Sequence, residues 1–178
     1  RKVYRLLPSL KPRIVEVDQV AKAIPTDGLL VEYQRYEPYD ISQINDERWQ
    51  EARYLALVLT PNAEIFSIDL GLAKPIEQKI QAAQRATEQR LVNAQQLWEE
   101  VSQLVVAPLE EVTQESKTWF ISPDAELNRI PFAALNSPEG EGFLGETHNL
   151  RLLTTGRELL DLEKPYKQSR EKSLVVAN

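Results

Sequence analysis

The run Trp119-Phe120-Ile121-Ser122-Pro123-Asp124-Ala125-Glu126-Leu127-Asn128-Arg129-Ile130-Pro131-Phe132-Ala133-Ala134-Leu135 constrains this chain more than any other stretch. Its front, residues 118–122, reads as a buried strand, because aromatic and β-branched side chains suit a covered pleated surface. Pro123-Asp124 predicts a tight turn, since proline pre-sets the φ of a first turn position. A short return segment follows, and Pro131 opens a helical turn. Residues 136–142 form an acidic, glycine-bearing loop, and 150–153 a short strand. Thr155-x-x-Glu158 has the form of a capping box, with Thr155 at the N-cap and Glu158 at N3. Its hydroxyl is expected to accept from the Glu158 N–H while the carboxylate reaches back. After a charged loop at 165–172, Leu174-Val175-Val176-Ala177 reads as a final strand. It lacks the alternation of a half-solvated strand, so both of its faces are expected to be covered.

The upstream half reads as a second group of elements. Residues 1–14, with Pro8 and Pro12, are an incoming linker or the tail of a preceding helical region. Val17, Val20, Ala21 and Ile24 share helical spacing over 15–24, and Pro25-Thr26-Asp27-Gly28 ends that helix. Strands are predicted at 29–36, 53–60 and 65–70, the last two as an antiparallel hairpin about Pro61-Asn62-Ala63-Glu64. Residues 75–108 are a long helical stretch opened by Pro75 and closed by Pro108. Its apolar stripe is Ala94, Leu97, Trp98, Val101, Leu104 and Val105. The polar middle at 81–89 is either a solvated part of one helix or a joint between two. The expected core is Leu55, Leu57, Leu59, Ile68, Leu97, Trp98, Val101, Phe120, Phe132 and Leu135. The fold class is α/β, a mixed sheet with an antiparallel hairpin group and a long helix.

Composition narrows function mainly by exclusion. With 42% hydrophobic and 27% charged residues, 178 residues can bury one sizeable core. A net charge of −6 disfavours a general nucleic-acid or anionic-membrane surface, which needs a basic patch. Neither a membrane-spanning apolar run nor a signal peptide is evident, so a cytoplasmic protein is expected. With no Cys, a disulfide scaffold, a thiolate metal site and a cysteine nucleophile are excluded within this chain. The lack of Met and the apolar run at the C-terminus lead us to expect a piece of a longer protein.

No constellation here carries chemistry by itself. His148 is the only histidine, and a general base needs a positioned partner that its neighbours Glu146 and Thr147 do not offer by spacing. It reads as a surface or packing residue. Glu139, Glu141 and Glu146 read as a solvated acidic loop. Ser122, Ser137 and Ser173 lack a nucleophile setting, with no G-x-S-x-G present. Trp49, Trp98 and Trp119 read as core or interface. Catalytic, cofactor-binding and metal-binding residues are therefore expected to be none, and no cofactor is implied.

Taken in order, the motifs resemble a known family. They are Leu30-Val31-Glu32-Tyr33, Tyr54 to Thr60, Ile68-Asp69-Leu70-Gly71, the long helix ending in Ala107-Pro108-Leu109, Ile121-Ser122-Pro123-Asp124, Ile130 to Leu135, and Thr155-Gly156-Arg157-Glu158-Leu159-Leu160. From about residue 15 onward this is similar to the N-terminal part of a CHAT domain, the bacterial caspase-like domain often found after tetratricopeptide repeats. The resemblance implies a caspase- or separase-type cysteine peptidase whose sheet continues into a three-layer α/β/α sandwich. It also implies a catalytic His and Cys downstream of the first core strand, to which 173–178 is similar. No residue here matches that pair. Ala125 stands where the family commonly has Gly, and Thr155 where Ser is usual. Two readings follow. One is the non-catalytic front half of such a peptidase, supporting a substrate cleft that downstream residues complete. The other is a protease-like scaffold or interaction module without activity. The implied partners are the downstream half of the same protein, upstream repeats and a protein or peptide substrate, with no nucleic acid and no membrane.

Overall fold

A computed structural model describes residues 14–44, 48–138 and 142–162. The expected linker, all but its last residue, the charged loop at 165–172 and the strand at 174–177 lie outside the described residues, as do Ser173, Glu139 and Glu141.

Among the described residues five strands form one mixed sheet: β1 (Gly28–Tyr36), β2 (Arg53–Leu59), β3 (Ile65–Leu72), β4 (Thr118–Ser122) and β5 (Asn149–Leu152). Their spatial order is β3-β2-β1-β4-β5. β2 pairs antiparallel with both β1 and β3, while β4 runs parallel to β1 and β5 parallel to β4. The antiparallel hairpin group and the parallel group are thus joined through β1, and the fold is α/β. The register shifts at Tyr54/Leu55, opposite Gly71, which sits at φ 95 as only glycine does readily. Arg53 pairs with Asp69 across this bulge, and its guanidinium holds the Asp69 carboxyl below its usual range.

Successive side chains on a strand point to opposite faces, and the two faces differ in cover. On the first lie Leu29, Val31 and Tyr33 of β1, Tyr54, Ala56 and Val58 of β2, and Trp119 and Ile121 of β4, all buried. Helices α2 (Ala73–Glu88) and α3 (Ala94–Val105) cover this face with Ile76, Ile80, Ala83, Val101 and Val105. On the second face, α1 (Val17–Ala23) and the one-turn helix Leu159–Leu162 cover only part of the sheet, packing Val20, Ala21 and Leu159 on Leu30, Leu59 and Phe120.

This asymmetry corrects half of the expected core. Leu59, Val101, Phe120, Phe132 and Leu135 are buried, whereas Leu55, Leu57, Ile68, Leu97 and Trp98 are only half-buried. Leu55 and Leu57 face the thinly covered side of β2. Ile68 stands on the edge strand β3. Leu97 and Trp98 lie on the flank of α3, where Trp98 Nε1 donates to Thr87 Oγ1 at 2.9 Å.

The long helical stretch at 75–108 is two helices, the second of the alternatives its polar middle left open. The break falls at residues 89–93, at the C-terminal end of that middle rather than within it. The Leu91 N–H donates to Ala86 O at 2.8 Å and the Arg90 N–H to Thr87 O at 3.0 Å. These are the two bonds of a Schellman termination, with Arg90 at the left-handed position, φ 53. Glycine usually marks that position, and its absence hides the stop. The chain then reverses, α3 packs on α2, and Lys79 pairs with Glu100 between them.

Tyr33 joins the sheet to this hairpin. Its hydroxyl donates to Val105 O at 2.8 Å, satisfying a carbonyl that the end of α3 leaves without a helical partner. Burial holds its phenol well above the usual range, and burial together with the Glu77 carboxylate does the same for Tyr54.

Two outcomes follow. A left-handed non-glycine residue costs about 1–2 kcal/mol, part of which glycine's extra chain entropy offsets. Arg90→Gly is therefore expected to raise stability by roughly 0.5–1 kcal/mol in urea titrations, and an unchanged or lower midpoint would contradict the termination described. Second, a phenol whose pKa is raised on folding contributes stability that is full below the unfolded value of 10.0 and is lost as pH rises above it. Thermal midpoints should fall above that pH, and less steeply in Tyr33→Phe, once the constant cost of its lost hydrogen bond is subtracted.

Candidate functional site

The parallel strands β1, β4 and β5 share one direction, so their carboxyl ends lie at one edge of the sheet. The segments leaving β4 and β5 meet there against β1. β1 extends to Tyr36, but its pairing with β4 ends at Glu32↔Ser122. Past that point the N–H groups of β1 that face β4 have no ladder partner. Asp124 replaces the missing strand: its Oδ2 accepts from the Arg35 N–H at 2.9 Å, and its Oδ1 from the Ala125 N–H at 2.8 Å. Both carboxylate oxygens thus hold backbone. The Ser122-Pro123-Asp124 turn is fastened to β1 and launches the 3-10 turn Ala125–Arg129.

The segment after β5 is fastened to the ends of both β4 and β1. The Leu153 N–H donates to Ile121 O at 2.8 Å, and Ser122 Oγ donates to Thr154 O at 3.1 Å. Glu32 Oε1 accepts from the Gly156 N–H at 2.7 Å. Gly156 approaches so closely that an added Cβ would stand 2.4 Å from Leu30 Cδ2. Only glycine fits there without displacing β1's side chains.

Glu32, then, caps the 3-10 turn Gly156–Glu158 and the helix after it. The expected capping by the Thr155 hydroxyl does not form: Thr155 holds the N-cap position but makes no side-chain capping bond. Glu158 Oε2 reaches back to the Thr154 N–H at 3.3 Å, one residue before the expected partner. A carboxylate fixed on a strand reaches an orphan helix N–H with less ordering of its own, and a charged acceptor makes the stronger bond. Glu32 is the site residue that sequence reasoning missed. The signal was present: a lone acid inside the apolar strand Leu29-Leu30-Val31-Glu32-Tyr33.

Together Glu32, Gln34, Ser122, Asp124 and Thr154 line a concavity of about 250 Å3 at the strand ends. Behind it, Arg35 Nε donates to Glu77 Oε1 at 2.9 Å and the Tyr54 hydroxyl to the same oxygen at 3.3 Å, bracing β1 on α2. Chemically this edge is a set of carboxylates and one hydroxyl spent on backbone groups. Among the described residues the Ser122 hydroxyl bonds to no carboxylate or imidazole, only to Thr154 O. The described residues contain no cluster of three or more His, Asp or Glu side chains able to hold a metal.

His148 lies at the other end of the sheet. It precedes Asn149, the first residue of β5, which pairs with Thr118 at the start of β4. Its ring meets Trp119 edge-on with centroids 5.0 Å apart, and its Nδ1 is 2.7 Å from Thr147 Oγ1. It is buried, in a packing position. Glu146 accepts from the Phe143 N–H at 3.0 Å. Of the tryptophans, Trp119 is fully buried, Trp98 half-buried, and Trp49 exposed against Tyr39.

Ala125 has φ 48, the left-handed conformation that glycine takes without cost. Ala125→Gly should stabilise the fold by about 0.5–1 kcal/mol. Glu32→Ala should cost on the order of 1–2 kcal/mol, while Thr155→Ala should stay within about 0.5 kcal/mol. Denaturant midpoints of the three variants check this, and a Thr155→Ala loss equal to that of Glu32→Ala would restore the hydroxyl cap.

Residues 72–178, more than half of the chain, match the family model of the CHAT domain. No curated protein matches the chain. β1 and β2, which precede the matched stretch, are hydrogen-bonded into the same sheet as its strands. By that match the chain belongs to the CHAT domain family.

Proposed function

We propose that this chain is the non-catalytic, sheet-forming part of a CHAT peptidase, and that the edge built on Glu32, Asp124 and Gly156 supports a substrate cleft completed by other residues. The observation that carries this reading is convergence. The two motifs behind the family likeness, at 121–135 and 155–160, meet on β1 at the carboxyl ends of parallel strands. In α/β sheets that is where ligands bind. The chain supplies no Cys, and its one histidine packs at the opposite end of the sheet. A nucleophile and its base therefore come from elsewhere in the parent protein, and we take the downstream half as the principal partner. Upstream repeats and a protein or peptide substrate complete the proposal, in a cytoplasmic setting. No described helix is long and apolar enough to cross a membrane.

A second reading is a protease-like scaffold without activity. It is favoured by the full engagement of the Asp124 carboxylate, the Ser122 hydroxyl and Glu32 Oε1 in holding backbone, which leaves these atoms unavailable for chemistry.

The chain assayed alone against mixed peptide substrates should give no turnover; turnover that survives repurification and disappears in His148→Ala would overturn the assignment. In the parent protein, Asp124→Ala should lower peptidase activity with a smaller effect on the thermal midpoint. A parent inactive before any substitution would select the scaffold reading.

A further inference from the structure

The second face of the sheet carries a groove that the strand-end site does not use. It lies between α1, the outer face of β2 and the turn at Thr155–Arg157, and has a volume of about 320 Å3. Its floor and far wall are apolar: Leu30, Leu57, Leu59 and Ile65, with Val17 on the rim. Ile65 and Val17 are 54% and 46% exposed, and Leu57 is half-buried. A central strand as apolar as Tyr54-Leu55-Ala56-Leu57-Val58-Leu59 calls for cover on both faces. Here the first face has it and the second does not.

The near end of the groove is polar. Glu32 is engaged there by the Gly156 N–H, below the rim. Arg157 is exposed at the mouth. Among the described residues it makes no ion pair, as is also true of Arg85, Arg90 and Arg151, but it alone of these stands at the mouth of this apolar trough. An apolar trough ending in an unmatched guanidinium is complementary to a segment that is apolar and ends in an acid.

We propose that this groove docks a short stretch of polypeptide from a partner protein, laying two or three apolar side chains over Leu57, Leu59 and Ile65 and pairing an Asp or Glu with Arg157. The volume is at the small end of the roughly 300–1,000 Å3 typical of enclosed ligand sites, and the groove is open, which suits a chain lying across it. Apolar burial supplies the affinity, and the guanidinium–carboxylate pair sets register and direction. This inference does not depend on whether the parent is a peptidase.

The test is a selection of phage-displayed random peptides on the full chain. The expected consensus has at least two apolar residues and one acid. Labelled consensus peptide should bind the native chain and lose about tenfold or more in affinity to Arg157→Glu and to Ile65→Lys. Both substitutions are at exposed positions, and circular dichroism should show an unchanged fold. Replacing the peptide's acid with Lys should restore binding to Arg157→Glu. Absence of enrichment over bare support, or binding indifferent to both substitutions, would overturn the proposal. So would a self-associated chain that Ile65→Lys makes monomeric, or full displacement of the consensus peptide by a peptide of residues 173–178; these would assign the groove to a second copy or to the chain's own end.

Discussion

Two backbone N–H groups, those of Arg35 and Gly156, would be orphans in this fold, and two carboxylates answer them. β1 continues past the end of β4, so the ladder on that side stops with donors still to satisfy. The helical turn at Gly156 begins, as every helix does, with N–H groups that no earlier residue can accept. Leaving a buried donor such as the Gly156 N–H unsatisfied costs about 1–3 kcal/mol, more than an ordinary hydrogen bond contributes. Glu32 removes that cost, Asp124 takes the place of water at the exposed Arg35 N–H, and together they decide where the segments after β4 and β5 run. The arrangement of the strand-end edge follows from these two contacts.

The placement of β1 makes this possible. Among the described strands it alone has an antiparallel partner on one side and a parallel partner on the other, so the hairpin group and the crossover group share it. Its odd positions enter the core under the helical hairpin, with Tyr33 tied to the end of α3. Its even positions, Leu30 and Glu32, meet the segment after β5. One alternating strand thus anchors core on one face and site on the other, as the period of two requires.

Much of this was legible in the residues. The hairpin of β2 and β3 was announced by two apolar runs about a Pro-Asn turn, and the strands β1, β4 and β5 lie within a residue or two of where pattern placed them. What was not legible depends on contacts distant in sequence. Periodicity could not tell which face of β2 would be covered, because Tyr54 to Leu59 is apolar on both. It could not show the stop at Arg90, since a left-handed arginine carries no compositional mark. The cap at Gly156 was sought locally, in Thr155, although Glu32 lies 124 residues away. A local rule finds the place where a cap is needed, and here it did. It cannot find which side chain the tertiary structure brings there.

The same distinction bears on what the family motifs encode. Ser122-Pro123-Asp124 and Thr155-Gly156-Arg157 bring a serine hydroxyl, a carboxylate, a threonine and a guanidinium to one edge of the sheet. In the structure the hydroxyl and the acids hold chain to chain. Ser122 binds a carbonyl, Asp124 binds two N–H groups, and Gly156 is present because nothing larger fits against Leu30. Arg157 alone of these polar side chains points its charge outward, unspent within the described chain. As folded, these motifs hold a shape at the carboxyl edge of the sheet, and Ala125, left-handed at φ 48, keeps that shape against its own conformational preference. A turn retained under strain implies that its surroundings over-determine it. Here they do so through the Asp124 carboxylate on one side of Ala125 and, on the other, Leu127, buried in the core under the helical hairpin.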